Sequence, residues 1–464
     1  MRLPVLLLVA GALIAPARCA EQRAADRGAW APATRLDVYF DALEANHLAN
    51  GSIAISEKGA LRYRRALGFA AIQNGKPQPT GDGTRYRIGS VSKLFTATMV
   101  MQLVEGASIT LDSRLAEFYP ELPNALEITY RDLLQHRSGL SNYTEAPGFE
   151  TWRTQPRTHA QILKIIGDGG AKFPPRDHVE YNNSNYLLLG YVLEKVYERS
   201  YDDIVRRRII DKIGLPRTYY AGGGIADLES VSYVFTPAGW VAQTDTDPSI
   251  HGGAGSMVST PGDLLRFIDA LFDGQVVSDH SLASMRDQQG GSGMGLWPYE
   301  IAGHKGLGHG GRIDGFRACV YHFPDKSISI AYTTNASVLS MDEIVDEVLT
   351  TVFERNHRPP TFAPLKLTTR QQAGYLGAWR SAAGVPVNSP FRQFTTPDQP
   401  ITLSVSAGAE APVARIKDHD FALVPLGDDE FMIREIGYFL RFYPREHELV
   451  VRGPEWDYYL KRAE

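Results

Sequence analysis

Ser90 and Lys93 stand three residues apart in the stretch RYRIGSVSKLFTATMV (85–100). Positions i and i+3 share a helical face, so the Lys93 amine can reach the Ser90 hydroxyl if the stretch is helical. Gly89 allows a tight entry and leaves the Ser90 amide at a helix N-terminus. Leu94 to Val100 are mostly apolar, which marks the start of a buried helix. Partial burial lowers a lysine pKa and turns the amine into a base for a serine nucleophile. Two more clusters suit the same chemistry. In EYNNSNYLLLG (180–190), Tyr181 can pass a proton to a leaving group and Asn183 can hold a substrate carbonyl. The same spacing also serves as a turn with a helix cap. In GHGGRIDGF (308–316), glycines around His309 mark backbone that approaches something closely, and free amides there suit an oxyanion. The commoner role of a lone histidine is a locally satisfied side chain.

These residues need elements to hold them. Leu36, Phe40 and Leu43 predict an amphipathic helix over 34–47, and GSIAISEKGALRYRRALGFA (51–70) predicts two strands around a Glu-Lys-Gly turn. Helices are expected over 92–105, over 128–140 with a stop at Ser138-Gly139, over 184–200, and over 259–274, where Thr260, Pro261 and Asp263 form a start signal. A buried hairpin is expected over 315–335 and a helix over 341–355. Strands thus come from both ends of this region, with helices between them, as in one α/β domain with a helical insertion. After the Pro-rich NHRPPTFAPLK (356–366), short runs rich in Val, Phe, Tyr and Ile predict a small all-β module.

Rival chemistries lack their signatures. There is no G-x-S-x-G, no H-E-x-x-H or H-x-H pair, and no phosphate-binding G-x-x-x-x-G-K-[ST]. The three clusters stand in the order Ser-x-x-Lys, Tyr-x-Asn, His-Gly-Gly. With ITLDSRLAEFYPEL, ITYRDLLQHRSGLSNY and GGAGSMVSTPGDLLRF between them, the chain resembles the serine β-lactamase and penicillin-binding-protein-like hydrolases, class C branch, over about residues 34–355. The resemblance implies an antiparallel sheet flanked by helices plus an all-helical subdomain. It implies Ser90 as acylated nucleophile, Lys93 as its proton acceptor and Tyr181 as proton relay. It places Asn183 on the substrate amide and the oxyanion between the amides of Ser90 and Arg312. His309, Gly310 and Gly311 stand where this branch carries Lys-Thr-Gly. A lysine is a fixed cation for a substrate carboxylate, whereas histidine titrates at about pH 6.5 and Gly310 has no hydroxyl. His-x-Gly forms are more typical of esterases and D-amino-acid peptidases. The expected substrates are esters or amides, with D-Ala-D-Ala-type peptides and small esters leading. A β-lactamase and a non-catalytic penicillin- or peptidoglycan-binding protein are the alternatives. No metal or organic cofactor is expected.

At 464 residues the chain exceeds one average domain, and its formal charge of -5 gives no footprint for nucleic acid. MRLPVLLLVAGALIAPARCA reads as a secretory signal over 1–19, cleaved near Ala17 or Cys19, and leaves no stable membrane span. A periplasmic or secreted enzyme is expected. Of the two cysteines, Cys19 leaves with the signal and Cys319 reads as a small buried hydrophobe. The expected organisation is a hydrolase domain over 20–357, a linker over 358–366 and a β-rich domain over 367–464.

Overall fold

The computed structural model describes residues 30–222, 229–236, 239–288, 291–336, 338–362, 367–384, 400–408, 411–416, 419–427, 429–433, 438–452 and 457–463. The signal segment 1–19 with Cys19, and residues 363–366 of the expected linker, lie outside them.

The central sheet has six antiparallel strands: β1 (Gly51–Glu57), β2 (Ala60–Leu67), β3 (Trp297–Ile301), β4 (His304–Ile313), β5 (Phe316–Phe323) and β6 (Ile328–Thr334). Their spatial order is β3-β4-β5-β6-β1-β2, so the N-terminal hairpin closes onto the late meander through β1 and β6, from Ser52↔Thr333 to Glu57↔Ile328. Side chains alternate across the sheet with a period of two. Ala54, Ala318, Val320 and Ala331 face the helical half of the molecule. Ile53, Ile55, Cys319, Tyr321, Ile330 and Tyr332 face a second layer made by helices α1 (Ala33–Ala45) and α5 (Met341–Phe353).

Helix α2 (Ser92–Glu105) runs through the first core, buried from Ser92 to Leu103. It is buried on every face, and its polar side chains Lys93, Thr96, Thr98 and Gln102 hydrogen-bond within the core. Helix α3 (Asn183–Tyr197) and helix α4 (Pro261–Phe272) pack beside it, with Phe95 and Phe267 stacked at 4.0 Å. Thr260 caps α4 as expected, accepting from the Asp263 amide.

One expected helix is much shorter than its sequence suggests. Only Tyr130–Leu134 is helical, started by a Thr129–Asp132 capping box. The chain then turns at His136 (φ 55°) and Gly139 (φ 71°). Tertiary hydrogen bonds outweigh propensity there. The Asn182 amide donates to His136 Nδ1 (3.1 Å), Ser138 Oγ donates to Asn185 Oδ1 (2.6 Å), and Asn182 Nδ2 donates to the Leu140 carbonyl. These bonds press 136–140 against the segment that carries Tyr181.

The β-rich tail is a closed eight-stranded barrel, β7 (Gly377–Gly384), β8 (Pro400–Ser406), β9 (Val413–Ile416), β10 (His419–Gly427), β11 (Glu430–Ile433), β12 (Tyr438–Tyr443), β13 (Glu448–Arg452) and β14 (Asp457–Arg462). Trp379, Leu403, Leu423, Phe431, Leu440, Phe442 and Leu449 fill its interior, so it is a packed core. Its outward-facing Met432 and Phe439 join the second core of the hydrolase domain, and Phe439 lies 6.2 Å from Phe362. The barrel is thus docked on the α1/α5 layer. Among the described residues no helix is long and apolar enough to cross a membrane.

Candidate active site

Ser90 lies in a 3₁₀ turn, Gly89–Val91, that feeds directly into α2. The turn seats against β4. Pairing of β4 with β3 ends at Gly308, whereas pairing with β5 continues to Ile313. Residues 309–313 therefore have a side that β3 leaves unpaired, and the Ser90 turn meets it. A Cβ at Gly311 would stand 2.0 Å from the Ile88 carbonyl oxygen and 3.0 Å from the Ser90 amide nitrogen. A Cβ at Gly89, whose φ is +49°, would stand 2.8 Å from the Arg312 backbone. Both glycines are needed for this approach. It brings the Arg312 backbone against the turn that opens at the Ser90 amide, where the first N–H groups have no acceptor within the helix.

Lys93 is fully buried. Its Nζ lies 3.0 Å from Ser90 Oγ, 2.9 Å from Asn183 Oδ1 and 2.8 Å from the Ala254 carbonyl oxygen. Burial, with no carboxylate to offset it, holds the Lys93 pKa well below the usual lysine range. The neutral amine has two hydrogens and one lone pair. Asn183 Oδ1 and the Ala254 carbonyl can only accept, so they take the two hydrogens and leave the lone pair for the Ser90 hydroxyl. In its neutral form Lys93 thus presents its lone pair to Ser90 Oγ.

Tyr181 lines the same cleft as Ser90, and burial raises its pKa, so the phenol keeps its proton. Its ring lies 4.9 Å from Lys93 Nζ and 4.6 Å from the His136 ring. The two groups beside Ser90 are therefore pushed in opposite directions, one towards accepting a proton and one towards holding it.

Asn183 is more committed than its sequence position suggested. Its Oδ1 accepts from Lys93, and its Nδ2 donates to Thr144 Oγ1 (3.2 Å). It orients Lys93 from behind the cleft.

His309 differs from the titrating histidine expected from sequence. The ring is buried, and burial followed by the Lys93 charge pushes its pKa down to about 3. It is neutral at every working pH, so it cannot become a cation as pH falls through 6.5. Nδ1 bonds the Gly310 carbonyl, which can only accept, so Nδ1 carries the proton. Nε2 is then a bare acceptor, and it is buried without a hydrogen-bond partner among the described residues.

These groups share a cleft of about 630 Å³, lined by Ser90, Tyr181, His309, Gly310, Gly311 and Arg312 among others. Asn183 sits behind it, on Lys93. Sequence reasoning missed several contributors. Trp297 lies 5.9 Å from the Tyr181 ring, ring centre to ring centre. Ala254 and His136 fall inside recognised motifs, yet nothing in their types marks one as the lysine's acceptor or the other as the tyrosine's backing. Asp342, at the start of α5, also lines the cleft. Burial and then Asp346 raise its carboxyl pKa, and it has no ion-pair partner among the described residues.

The beta-lactamase family model matches residues 36–352. Penicillin-binding protein 4* of Bacillus subtilis is 26% identical over 327 residues, covering 65% of this chain and 71% of that protein. A D-aminopeptidase of Cereibacter sphaeroides is 30% identical over 313 residues, covering 65% of this chain, and the match spans 59% of that enzyme's length. The structure of the octameric penicillin-binding protein homologue from Pyrococcus abyssi superposes with a TM-score of 0.64 at 20% identity, over 92% of this chain and 99% of the other. That likeness is one of fold and extends over the barrel.

Proposed function

The chain belongs to the beta-lactamase family of serine hydrolases, and we propose that it cleaves amides or esters whose acyl group carries a free amine, through an acyl-enzyme on Ser90. Lys93 takes the Ser90 proton as Oγ attacks the substrate carbonyl. The oxyanion forms between the amides of Ser90 and Arg312. Tyr181, fed by Lys93, returns the proton to the leaving nitrogen or oxygen, and the carbonyl–leaving-group bond breaks. Water then cleaves the ester on Ser90 by the same steps in reverse.

The observation that carries the substrate class is His309 Nε2, a buried acceptor in the cleft wall without a hydrogen-bond partner among the described residues. A substrate carboxylate has no proton to give it, and an ammonium has three. The Asp342 carboxyl in the same cleft favours the same sign of charge. D-Aminoacyl amides and esters fit this description, and the resemblance to a D-aminopeptidase supports the D series. Arg312 and Arg317 also line the cleft and favour a second reading, a peptide or β-lactam carboxylate.

The test compares D-alanyl p-nitroanilide, its desamino (propionyl) counterpart and a fluorescent penicillin, with fluorophosphonate labelling of wild type and Ser90→Ala. The expected result is labelling at Ser90 only, and turnover of the D-alanyl substrate at least ~10-fold above the desamino one, the scale of one charge-assisted hydrogen bond. Equal turnover of the two anilides overturns the amine reading. An adduct on another residue overturns the mechanism.

A further inference from the structure

The wall of the cleft opposite Gly310 is the start of α5: Ser340, Met341 and Asp342. Met341 Cε would lie 4.0 Å from a Cβ at Gly310. Ser340 is the N-cap of α5 and Glu343 its capping partner. Ser340 Oγ accepts from the Glu343 amide (3.1 Å), and Glu343 Oε2 accepts from the Ser340 amide (3.3 Å) and hydroxyl (2.9 Å). This box sets the direction in which 340–342 enter the helix.

Glu343 has a second oxygen, and it reaches the other domain. Its Oε1 lies 3.0 Å from Nη1 of Arg452, at the end of β13 in the barrel. Arg452 Nη2 donates to Glu430 on β11. One guanidinium thus bridges a barrel carboxylate and the carboxylate that caps the cleft wall. The helix turn that it meets is strongly acidic, with Asp342, Glu343, Asp346 and Glu347 in sequence. Arg452 stands between two carboxylates, Glu343 and Glu430, so removing it strengthens the repulsion of Glu343 by Glu430 and by its acidic neighbours on the helix. The Met432 and Phe439 contact holds the barrel close enough for the bridge.

We propose that Arg452 is a positioning residue for the active site: through Glu343 it fixes the Ser340–Asp342 wall that faces Ser90. The barrel is then part of the machinery that selects substrate, although its own interior is filled. This rests on the reading of the cleft as the site where the acyl amine binds.

The test uses the full chain with Arg452→Met, Arg452→Lys, Glu343→Gln and the double variant Glu343→Gln/Arg452→Met. Lys461→Met removes a barrel cation that, among the described residues, pairs with Glu448 of the barrel, and it serves as control. Hydrogen exchange across 341–346 reads the bridge without any substrate. It should quicken at least ~10-fold in Arg452→Met and stay unchanged in α2, as for a local opening. With D-alanyl p-nitroanilide, Arg452→Met should raise KM by roughly 5–20-fold with kcat within about twofold, the pattern of lost binding rather than lost chemistry. Arg452→Lys should recover most of this, the double variant should be no worse than Arg452→Met, and Lys461→Met should match wild type. Unchanged exchange overturns the bridge. Faster exchange with wild-type KM, or equal loss of KM, kcat and fluorophosphonate labelling, overturns the positioning role. If wild type is not labelled at Ser90, the functional reading falls and the bridge is judged on exchange alone.

Discussion

Asn183→Asp changes one atom's charge at the point that sets the chemistry. Asn183 Oδ1 lies 2.9 Å from Lys93 Nζ. A carboxylate there keeps the shape of the contact and adds a full negative charge. At an effective dielectric of ~20, Coulomb's law gives about 6 kcal/mol at that distance, equivalent to roughly four pKa units. The new carboxylate loses water in turn, which cancels part of the gain, so the Lys93 pKa should rise by about 2–3. The sign is upward because an anion favours the ammonium. An ammonium has no lone pair for the Ser90 proton. At pH values below both the original and the raised pKa, kcat/KM should therefore fall by about 10²–10³-fold, the ratio set by a rise of about 2–3, and above the original pKa the variant should go on climbing about tenfold per pH unit after wild type has levelled off. The assay is kcat/KM between pH 6 and 10 on an anilide with no ionising group, beside the rate of fluorophosphonate labelling. Thr144→Val removes the other hydrogen bond of the Asn183 side chain without adding charge, and it should leave the shape of the profile unchanged. A loss of activity in Asn183→Asp that is equal at every pH would refute the charge argument, and so would a wild-type profile.

Gly311→Ala should lower kcat by about 10²–10³, the scale of one lost oxyanion donor, because its Cβ would meet the Ile88 carbonyl oxygen at 2.0 Å; circular dichroism should be unchanged, and near-wild-type kcat would show that the turn need not seat so closely. Acid should destabilise the fold early. His251 and His309 are pushed down to about 3 and His322 to about 4, all mainly by burial, and His136 is also held well below the usual value. Each takes up a proton near pH 6.5 only when unfolded, so stability falls as pH drops below about 6.5, by ~1.4 kcal/mol per pH unit per histidine; a urea midpoint that is flat from pH 7 to 5 would contradict this. Phe439→Ala should cost about 3–5 kcal/mol, as for a buried aromatic, and split a single calorimetric transition into barrel and hydrolase steps; an unchanged single transition would show that the docking contact carries little.

Much of this protein is written locally. The i, i+3 relation of Ser90 and Lys93, the Thr260–Asp263 cap of α4 and the alternation of β5 and β6 follow from backbone geometry that needs no distant partner. The barrel was legible for the same reason, since strand and turn signals repeat within short windows. Motif order carried the likeness to a hydrolase family. Where several elements compete for the same groups, sequence failed. The 128–140 helix stops at Leu134 because residues 136–140 find better hydrogen bonds on the Tyr181 segment, with Asn182 lying 46 residues from His136, than in another helical turn. The lysine's lone pair has a direction only because Ala254 and Asn183, distant in sequence, both present acceptors to it. His309 was visible as a departure from Lys-Thr-Gly, but its burial, its tautomer and its bare Nε2 depend on what surrounds the ring. The bridge from Arg452 to Glu343 spans two domains and has no local signature at all. Short-range order sets which side chains can share a face; the charge state of those side chains, and the partners they keep, are decided by the water and the charges that folding removes or brings near.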